Sequence, residues 1–289
     1  MSDVSVCIGR RTIGRGHPVY CVAEIGINHN GDLTLARDMV RAAAYAGCDG
    51  VKLQKRTVDL VYTPEQLDRP RVTPFGRSNR ELKVGLELPI SAWAELKRLA
   101  EHFGMDLFGS CWDTNSVDEL KQISPTVYKI ASPSLTNIPL LEKVADQGVP
   151  VIMSVGMSSV PEIDRAVEVF RGKPLILLHC VSAYPTPIDE VSILNVLALQ
   201  QRYPDVVVGY SGHEVGILPS IGAAALGACV VERHFTLSRR LWGSDHGVSL
   251  EPDEMREMIE GIQVVSRARG TGALGLRECE VPAKISLRN

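Results

Sequence analysis

The chain has 289 residues, 45% of them hydrophobic and 22% charged, which excludes a disordered or fibrous protein and suits one large globular domain or two small ones. Its 31 Lys+Arg against 34 Asp+Glu leave a formal net charge of -3, without the basic excess of a nucleic-acid binder. No run of about 18 apolar residues occurs, because the most apolar stretch, 217–231, is broken by Pro219, Ser220 and glycines, so no membrane-spanning helix is expected.

In chain order, MSDVSVCIGRR lacks the charged start and apolar core of a secretory signal and alternates like a strand, which predicts a cytoplasmic protein. Two short apolar runs split by Arg10 and Arg11 make 1–18 a hairpin able to plug one mouth of a barrel. A strand at 19–27, a helix at 33–46 and a strand at 50–54 follow. The longest connection, 56–89, has the Pro, Arg and Glu content of a lid or an oligomer contact. Helix 90–103, strand 106–111, helix 116–123, strand 127–132, helix 139–147, strand 149–156 and helix 160–170 come next. Strand 174–180, helix 192–203, strand 206–213, helix 217–226, strand 229–237 and helix 252–268 complete the pattern, and the polar residues after Gly270 carry no further domain. Seven cysteines (Cys7, Cys21, Cys48, Cys111, Cys180, Cys229 and Cys279) are scattered without a CxxC pair and read as reduced core filler.

Nearly continuous apolar strands that alternate with helices require a parallel sheet covered on both faces. Eight such units predict an α/β fold, a (β/α)8 TIM barrel with a short N-terminal hairpin, as one catalytic domain over 1–289. A doubly wound Rossmann sheet is the rival, but no GxGxxG follows the first strand.

Barrel chemistry sits at the C-terminal strand ends, so the polar residues there are the candidates. Strand by strand they are Glu24; Lys52 and Gln54; Ser110; Lys129 and Ser132; Ser154; Ser182 and Tyr184; Ser211 and His213; Glu232 and His234. Residues two apart on a strand share a face, which aligns Lys52 with Gln54, Ser211 with His213, and Glu232 with His234. Lysine is rarely buried without a partner, and two lysines among serine hydroxyls make a socket for a small polyanion such as phosphate with carboxylate. The plainer alternative is that each lysine only pairs with Glu24 or Glu232. His213 and His234 stand at adjacent strand ends, where two imidazoles can share a divalent metal such as manganese, zinc or iron, with Asp245 or Glu24 completing the shell. Either histidine alone would be an ordinary hydrogen-bonded residue, as His179 and His102 are expected to be. Trp112 and Trp242 beside the rim suit sugar stacking or lid packing.

Eight blocks carry a resemblance over nearly the whole chain: AEIGINHNGD (23–32), VKLQKRT (51–57), YKIAS (128–132), MSVGMSS from Met153, LLHCVSAYPTP (177–187), GYSGHEVG (209–216), VVERHFTL (230–237) and WGSDHGVSLEP (242–252). In these the chain resembles the sialic acid (nonulosonic acid) synthases, which condense phosphoenolpyruvate with an N-acylated hexosamine on a (β/α)8 barrel. The resemblance implies that Lys52, Gln54, Ser110, Lys129, Ser132, Ser154 and Ser211 hold phosphoenolpyruvate. It implies that His213 and His234 bind a divalent metal, commonly Mn2+, with Mg2+, Co2+ or Zn2+ as alternatives. By the same resemblance Glu24 matches the active-site glutamate, and Tyr184 and Asp245 match sugar-side residues.

Two departures stand out. Ser134 and Ser182 occupy places where the family has an acidic residue and an asparagine, which alters the expected acceptor contacts. The family's small antifreeze-like domain, which lends an arginine to the sugar's acyl group, would lie beyond Asn289, so Arg239, Arg240 or Arg77 is expected to substitute.

The mechanism expected from the resemblance has C3 of phosphoenolpyruvate attack the aldehyde of an open-chain N-acetylmannosamine-like sugar, whose carbonyl the metal polarises. Water captures C2, and phosphate leaves a 2-keto-3-deoxy sugar acid, with Glu24 in proton transfer. The rivals are a 3-deoxy-octulosonate or heptulosonate phosphate synthase, a Schiff-base aldolase using Lys52 or Lys129, and a non-catalytic sugar-phosphate-binding barrel. The expected partners are phosphoenolpyruvate, the hexosamine and a second copy of the chain in a homodimer.

Overall fold

The computed structural model describes residues 4–288. The chain opens with an antiparallel hairpin, β1 (Ser5–Ile8) and β2 (Arg11–Gly14), followed by β3 (Tyr20–Gly26), α1 (Leu33–Ala46) and β4 (Gly50–Lys55). The long connection folds into α2 (Val58–Val61), α3 (Pro64–Leu67), a small hairpin of β5 (Pro70–Thr73) and β6 (Gly76–Ser78), and α4 (Asn79–Gly85). Next come α5 (Ile90–His102), β7 (Asp106–Cys111), α6 (Thr114–Lys121), β8 (Tyr128–Ile130), α7 (Ile138–Ala145), β9 (Val151–Ser154) and α8 (Val160–Val169). The chain continues with β10 (Leu175–His179), α9 (Asn195–Arg202), β11 (Val207–Gly212), α10 (Leu218–Ala225), β12 (Val230–His234), α11 (Pro252–Ala268) and a short exposed α12 (Val281–Leu287).

Eight strands close into a barrel in the order β3, β4, β7, β8, β9, β10, β11, β12, every neighbouring pair parallel. This is the (β/α)8 fold expected from the alternation. Among the described residues no helix is long and apolar enough to cross a membrane.

Side-chain alternation sorts the strands into two surfaces. Ala23, Ile25, Val51, Leu53, Leu107, Val151 and Met153 point outward into one apolar layer shared with the helices. Val22, Phe108, Val127, Ile152 and Val230 point inward, where they pack with Val6, Ile8 and Ile13 of the N-terminal hairpin. The hairpin therefore covers the N-terminal mouth of the barrel; residues 1–3 of the expected 1–18 segment lie outside the described residues. Two positions along the same inward faces stand Glu24, Ser110, Lys129, Ser154 and Glu232, so the interior turns from apolar to polar toward the C-terminal ends.

The turns after the strands are built by local capping. Asp32 accepts hydrogen bonds from the backbone N–H groups of Thr34 and Leu35 at the start of α1, and Gly47, at φ +88°, ends that helix in the left-handed conformation. Several strands are shorter than their apolar runs. The expected strand 127–132 stops at Ile130 because Ser132–Ser134 turns into a 3-10 helix. The expected 229–237 stops at His234, beyond which Phe235 makes only an isolated bridge to Leu250. Side-chain bonds replace the ladder at these ends, as where Ser132 Oγ accepts from the Gly156 N–H at 3.1 Å.

Arg233, fully buried on the outward face of β12, ties the loop after β11 to α10. Its guanidinium donates to Glu214 Oε1 (2.9 Å), the Gly216 carbonyl (2.7 Å), Ser220 Oγ (2.9 Å) and the Glu214 carbonyl (2.6 Å), while Tyr210 donates to the other Glu214 oxygen. Arg233→Ala strands the Glu214 carboxylate in the interior and is expected to cost about 3 to 5 kcal/mol of stability, measured as a fall in the urea midpoint at unchanged m-value.

Candidate active site

The polar ends of the barrel strands converge on one small cavity lined by Glu24, Lys52, Gln54, Ser110, Lys129, Ser132, Ser154, Tyr184, Ser211, His213, Glu232 and His234, with Trp112 beside them. These residues come from all eight barrel strands or the loops that follow them, and strand register sets them side by side. Glu24 pairs with Lys52 on one side and His234 on the other, Gln54 with Ser110, Ser110 with Lys129, and Ser211 with Glu232.

Lys52 occupies the centre. Its Nζ lies 2.7 Å from Glu24 Oε2 and 3.5 Å from Glu232 Oε1, and it donates to Ser110 Oγ at 3.1 Å. Burial pushes this ammonium toward the neutral form, but Glu232 and Glu24 outweigh that cost and hold its pKa above the ordinary lysine value. Lys129 donates to Ser154 Oγ (2.6 Å) and to the Ile130 carbonyl (2.9 Å) and has no ion-pair partner among the described residues. Burial lowers its pKa, the attraction of Glu232 offsetting that only in part and the charge of Lys52 adding to it. Burial opposes ionisation of Glu232, yet Lys52 and Lys129 hold its carboxyl below the usual range, and Ser211 donates to it at 3.2 Å. Simple lysine–carboxylate pairing, the plainer of the two alternatives, is thus realised at Lys52 and absent at Lys129.

Beside this cluster stand the two imidazoles, with ring centroids 5.4 Å apart. Tyr184 leans on both, at 4.3 Å from His213 and 5.8 Å from His234. His213 Nδ1 is 2.8 Å from the Val181 carbonyl, so it carries the proton and leaves Nε2 with a free lone pair. Burial, reinforced by the neighbouring His234, lowers the His213 pKa to about 3 and keeps the ring neutral. His234 Nδ1 is buried without a hydrogen bond, 3.9 Å from Asp245 Oδ2. Two adjacent imidazoles, one with its second nitrogen anchored to a carbonyl and the other beside a carboxylate, fit the divalent metal implied by the family resemblance. Among the described residues no set of three His, Cys, Asp or Glu side chains is spaced to hold an ion, so substrate or water would fill the remaining positions.

Two expected acceptor residues fall outside the cavity. Asp245 stands behind His234, and Ser182 lines a neighbouring cavity of about 740 Å³ with His179 and Cys180. Ser182 packs closely against Gly156, where a Cβ would lie 2.4 Å from its Oγ. The expected substitute Arg239 is engaged elsewhere, forking onto Glu254 of α11 at 2.6 and 3.0 Å. Trp242 packs edge-on against Phe75 of the long connection, and His179 bonds the Val191 carbonyl at 2.9 Å, both structural contacts. Glu232 stands where its spacing of two from His234 aims it, on the inner face beside Lys52. Arg56, one residue beyond β4, carries no periodic signal and is not among the residues expected at the site.

Comparison with known proteins places this geometry. The NeuB family matches residues 39–273. Over 285 residues the chain is 37% identical to the N-acetylneuraminate-9-phosphate synthase of Homo sapiens, covering 96% of this chain and 79% of that one. It is 36% identical over 259 residues to the N,N'-diacetyllegionaminic acid synthase of Campylobacter jejuni, covering 87% and 77%. The crystal structure of the N-acetylneuraminic acid (sialic acid) synthetase of Leptospira borgpetersenii in complex with citrate matches with a TM-score of 0.88 at 31% identity, over 98% of this chain and 97% of that one.

Burial gives the site region a definite acid sensitivity. His29, buried in the turn after β3, has its pKa lowered to about 4 by burial and by the charge of Arg56, and His213 lies lower still. Each ring is neutral when folded and takes up a proton near pH 6.5 when unfolded, so its contribution is complete above pH 6.5 and is lost as the pH falls toward 4. Replacing His29 by Gln is expected to flatten the stability profile between pH 6.5 and 4 by about 1.4 kcal/mol per pH unit, read from urea denaturation across that window.

Proposed function

The chain belongs to the NeuB family, and from that premise we propose that it condenses phosphoenolpyruvate with an N-acyl hexosamine, giving a 2-keto-3-deoxy sugar acid and phosphate. The observation that carries this reading is the convergence of Lys52, Lys129, Glu24 and the His213–His234 pair on one cavity. An anion socket, a carboxylate and a pair of lone-pair donors are what this condensation needs within reach of each other.

Lys52 and Lys129, with Ser110 and Ser154, hold the phosphate and carboxylate of phosphoenolpyruvate, and Gln54, Ser132 and Ser211 complete the polar lining. Because Glu24 and Glu232 balance the two lysines, the side chains alone leave little net positive charge for a polyanion. A divalent metal, manganese or in its place magnesium, cobalt or zinc, would be held by His213 and His234 and supplies that charge, polarising the acceptor's carbonyl oxygen. C3 of phosphoenolpyruvate forms the new bond to the aldehyde carbon of the open-chain sugar, and the aldehyde oxygen takes up a proton. Water adds to C2 and gives a proton to Glu24, which passes it on toward that oxygen. The C2–O bond to phosphate then breaks, the remaining hydroxyl proton leaves with phosphate, and C2 becomes the ketone. Tyr184 over the imidazoles and Trp112 at the rim give the sugar its apolar walls.

The test is release of phosphate from phosphoenolpyruvate, with and without manganese, against N-acetylmannosamine, its 6-phosphate, 6-deoxy diamino analogues and arabinose 5-phosphate, with products identified by mass. Metal-dependent turnover of one hexosamine is the expected result. Turnover of arabinose 5-phosphate alone would reassign the chain to octulosonate chemistry, and full activity in a metal-free preparation would remove the role given to His213 and His234. Lys129→Met leaves phosphoenolpyruvate's anionic groups underpaired in a desolvated site and is expected to weaken its binding by about 2 to 5 kcal/mol in titration calorimetry.

A further inference from the structure

Behind the cavity, at the root of the long connection, lies a buried cation that none of the chemistry above uses. Arg56 is only 4% exposed, although it stands one residue past the end of β4. Its Nε pairs with Glu87 Oε1 at 2.9 Å, its Nη1 donates to Tyr62 Oη at 2.9 Å, and its guanidinium lies 5.0 Å from the centre of the Trp112 ring. The remaining terminal nitrogen, Nη2, donates to Gln54 Oε1 at 2.7 Å. Gln54 in turn donates from Nε2 to Glu24 Oε1 at 3.0 Å, and Lys52 holds the other Glu24 oxygen. A continuous chain of contacts therefore runs from Glu87 through Arg56 and Gln54 to Glu24.

We infer that Arg56 is a positioning residue that locks the Gln54 amide with its NH2 group toward Glu24. The reasoning is one of donors and acceptors. A guanidinium only donates, and an ionised carboxylate only accepts. Between them a primary amide has one favourable orientation, its oxygen to Arg56 and its NH2 to Glu24; the flipped amide would set oxygen against carboxylate and NH2 against guanidinium. With Arg56 in place, each Glu24 oxygen has its own donor and the carboxylate plane is fixed over the cavity. The same cation backs the Trp112 ring, so two residues of the lining depend on it. The inference rests on the role proposed for Glu24 in proton transfer, whereas the orientation of Gln54 is independent of that role.

The test compares Arg56→Met with the double variant Arg56→Met/Glu87→Gln, with kinetics and side-chain amide NMR on each. Arg56→Met leaves Glu87 short of a partner and is expected to lose stability. The double variant removes that buried charge while Lys55 keeps Glu119 at 3.1 Å, so its stability should recover. For both variants kcat is expected to fall by roughly 10- to 100-fold, by analogy with lost outer-shell partners of metal ligands, and KM for phosphoenolpyruvate to rise as well because Gln54 lines its pocket. The Gln54 amide protons, assigned by their absence in Gln54→Leu, should exchange slowly in the wild type and fast in both variants. Recovery of kcat together with stability in the double variant would overturn the inference, because a purely structural role predicts it. If the wild type turns over no acceptor, the proposed function fails, and the amide signal still decides: Gln54 protons equally protected after loss of Arg56 would overturn the inference by themselves.

Discussion

Mutual compensation of four buried charges, Glu24, Lys52, Lys129 and Glu232, is the constraint on which the rest of the site depends. An ion taken out of water into a protein interior costs several kcal/mol unless partners restore what hydration supplied. Lys52 meets this requirement by sitting between two carboxylates, and Glu232 by facing two lysines. Lys129 meets it less fully, with a serine hydroxyl and a backbone carbonyl as its direct partners. Among the described residues Lys129 therefore has no direct ion pair, while Lys52 shares its charge with Glu24.

The barrel makes such a cluster possible because its interior is graded. Inward residues at the N-terminal ends are apolar and are closed off from below by the hairpin residues Val6, Ile8 and Ile13. The charges two positions further on therefore rest on an apolar floor, where their electrostatic influence on each other is strong. Two further ion networks brace this arrangement from outside. Arg233 and Glu214 hold the loop that begins with His213, and Arg56 and Glu87 hold the start of the long connection behind Gln54 and Trp112. Each network joins a strand end to the loop that must stay in place for the cavity to keep its shape.

Much of this was legible in the residues. The period of two along strands such as VKLQK and VVERH assigns Lys52, Gln54, Glu232 and His234 to the inner face from the residues alone, and the apolar run before each polar residue places it at the C-terminal end. Ser182 was not legible in the same way. It lies past the end of β10, where no periodicity governs direction, and it lines the neighbouring cavity, packed against Gly156. The long connection 56–89 showed no repeat either, and its three short helices and small hairpin arise from local caps such as those at Thr63 and Ser78.

The barrel, its eight-fold alternation and the inward set of polar side chains follow from local pattern, because strand and helix periods are properties that neighbouring residues carry. Chain folding in three dimensions set the pairing of Lys52 with two carboxylates, the lack of an ion-pair partner for Lys129 among the described residues, the lean of Tyr184 on both imidazoles, and the reach of Arg56 to Gln54 with Glu87 behind it. Those choices depend on distances of a few ångströms between residues from different strands and loops, which barrel closure and loop packing set and no local pattern encodes.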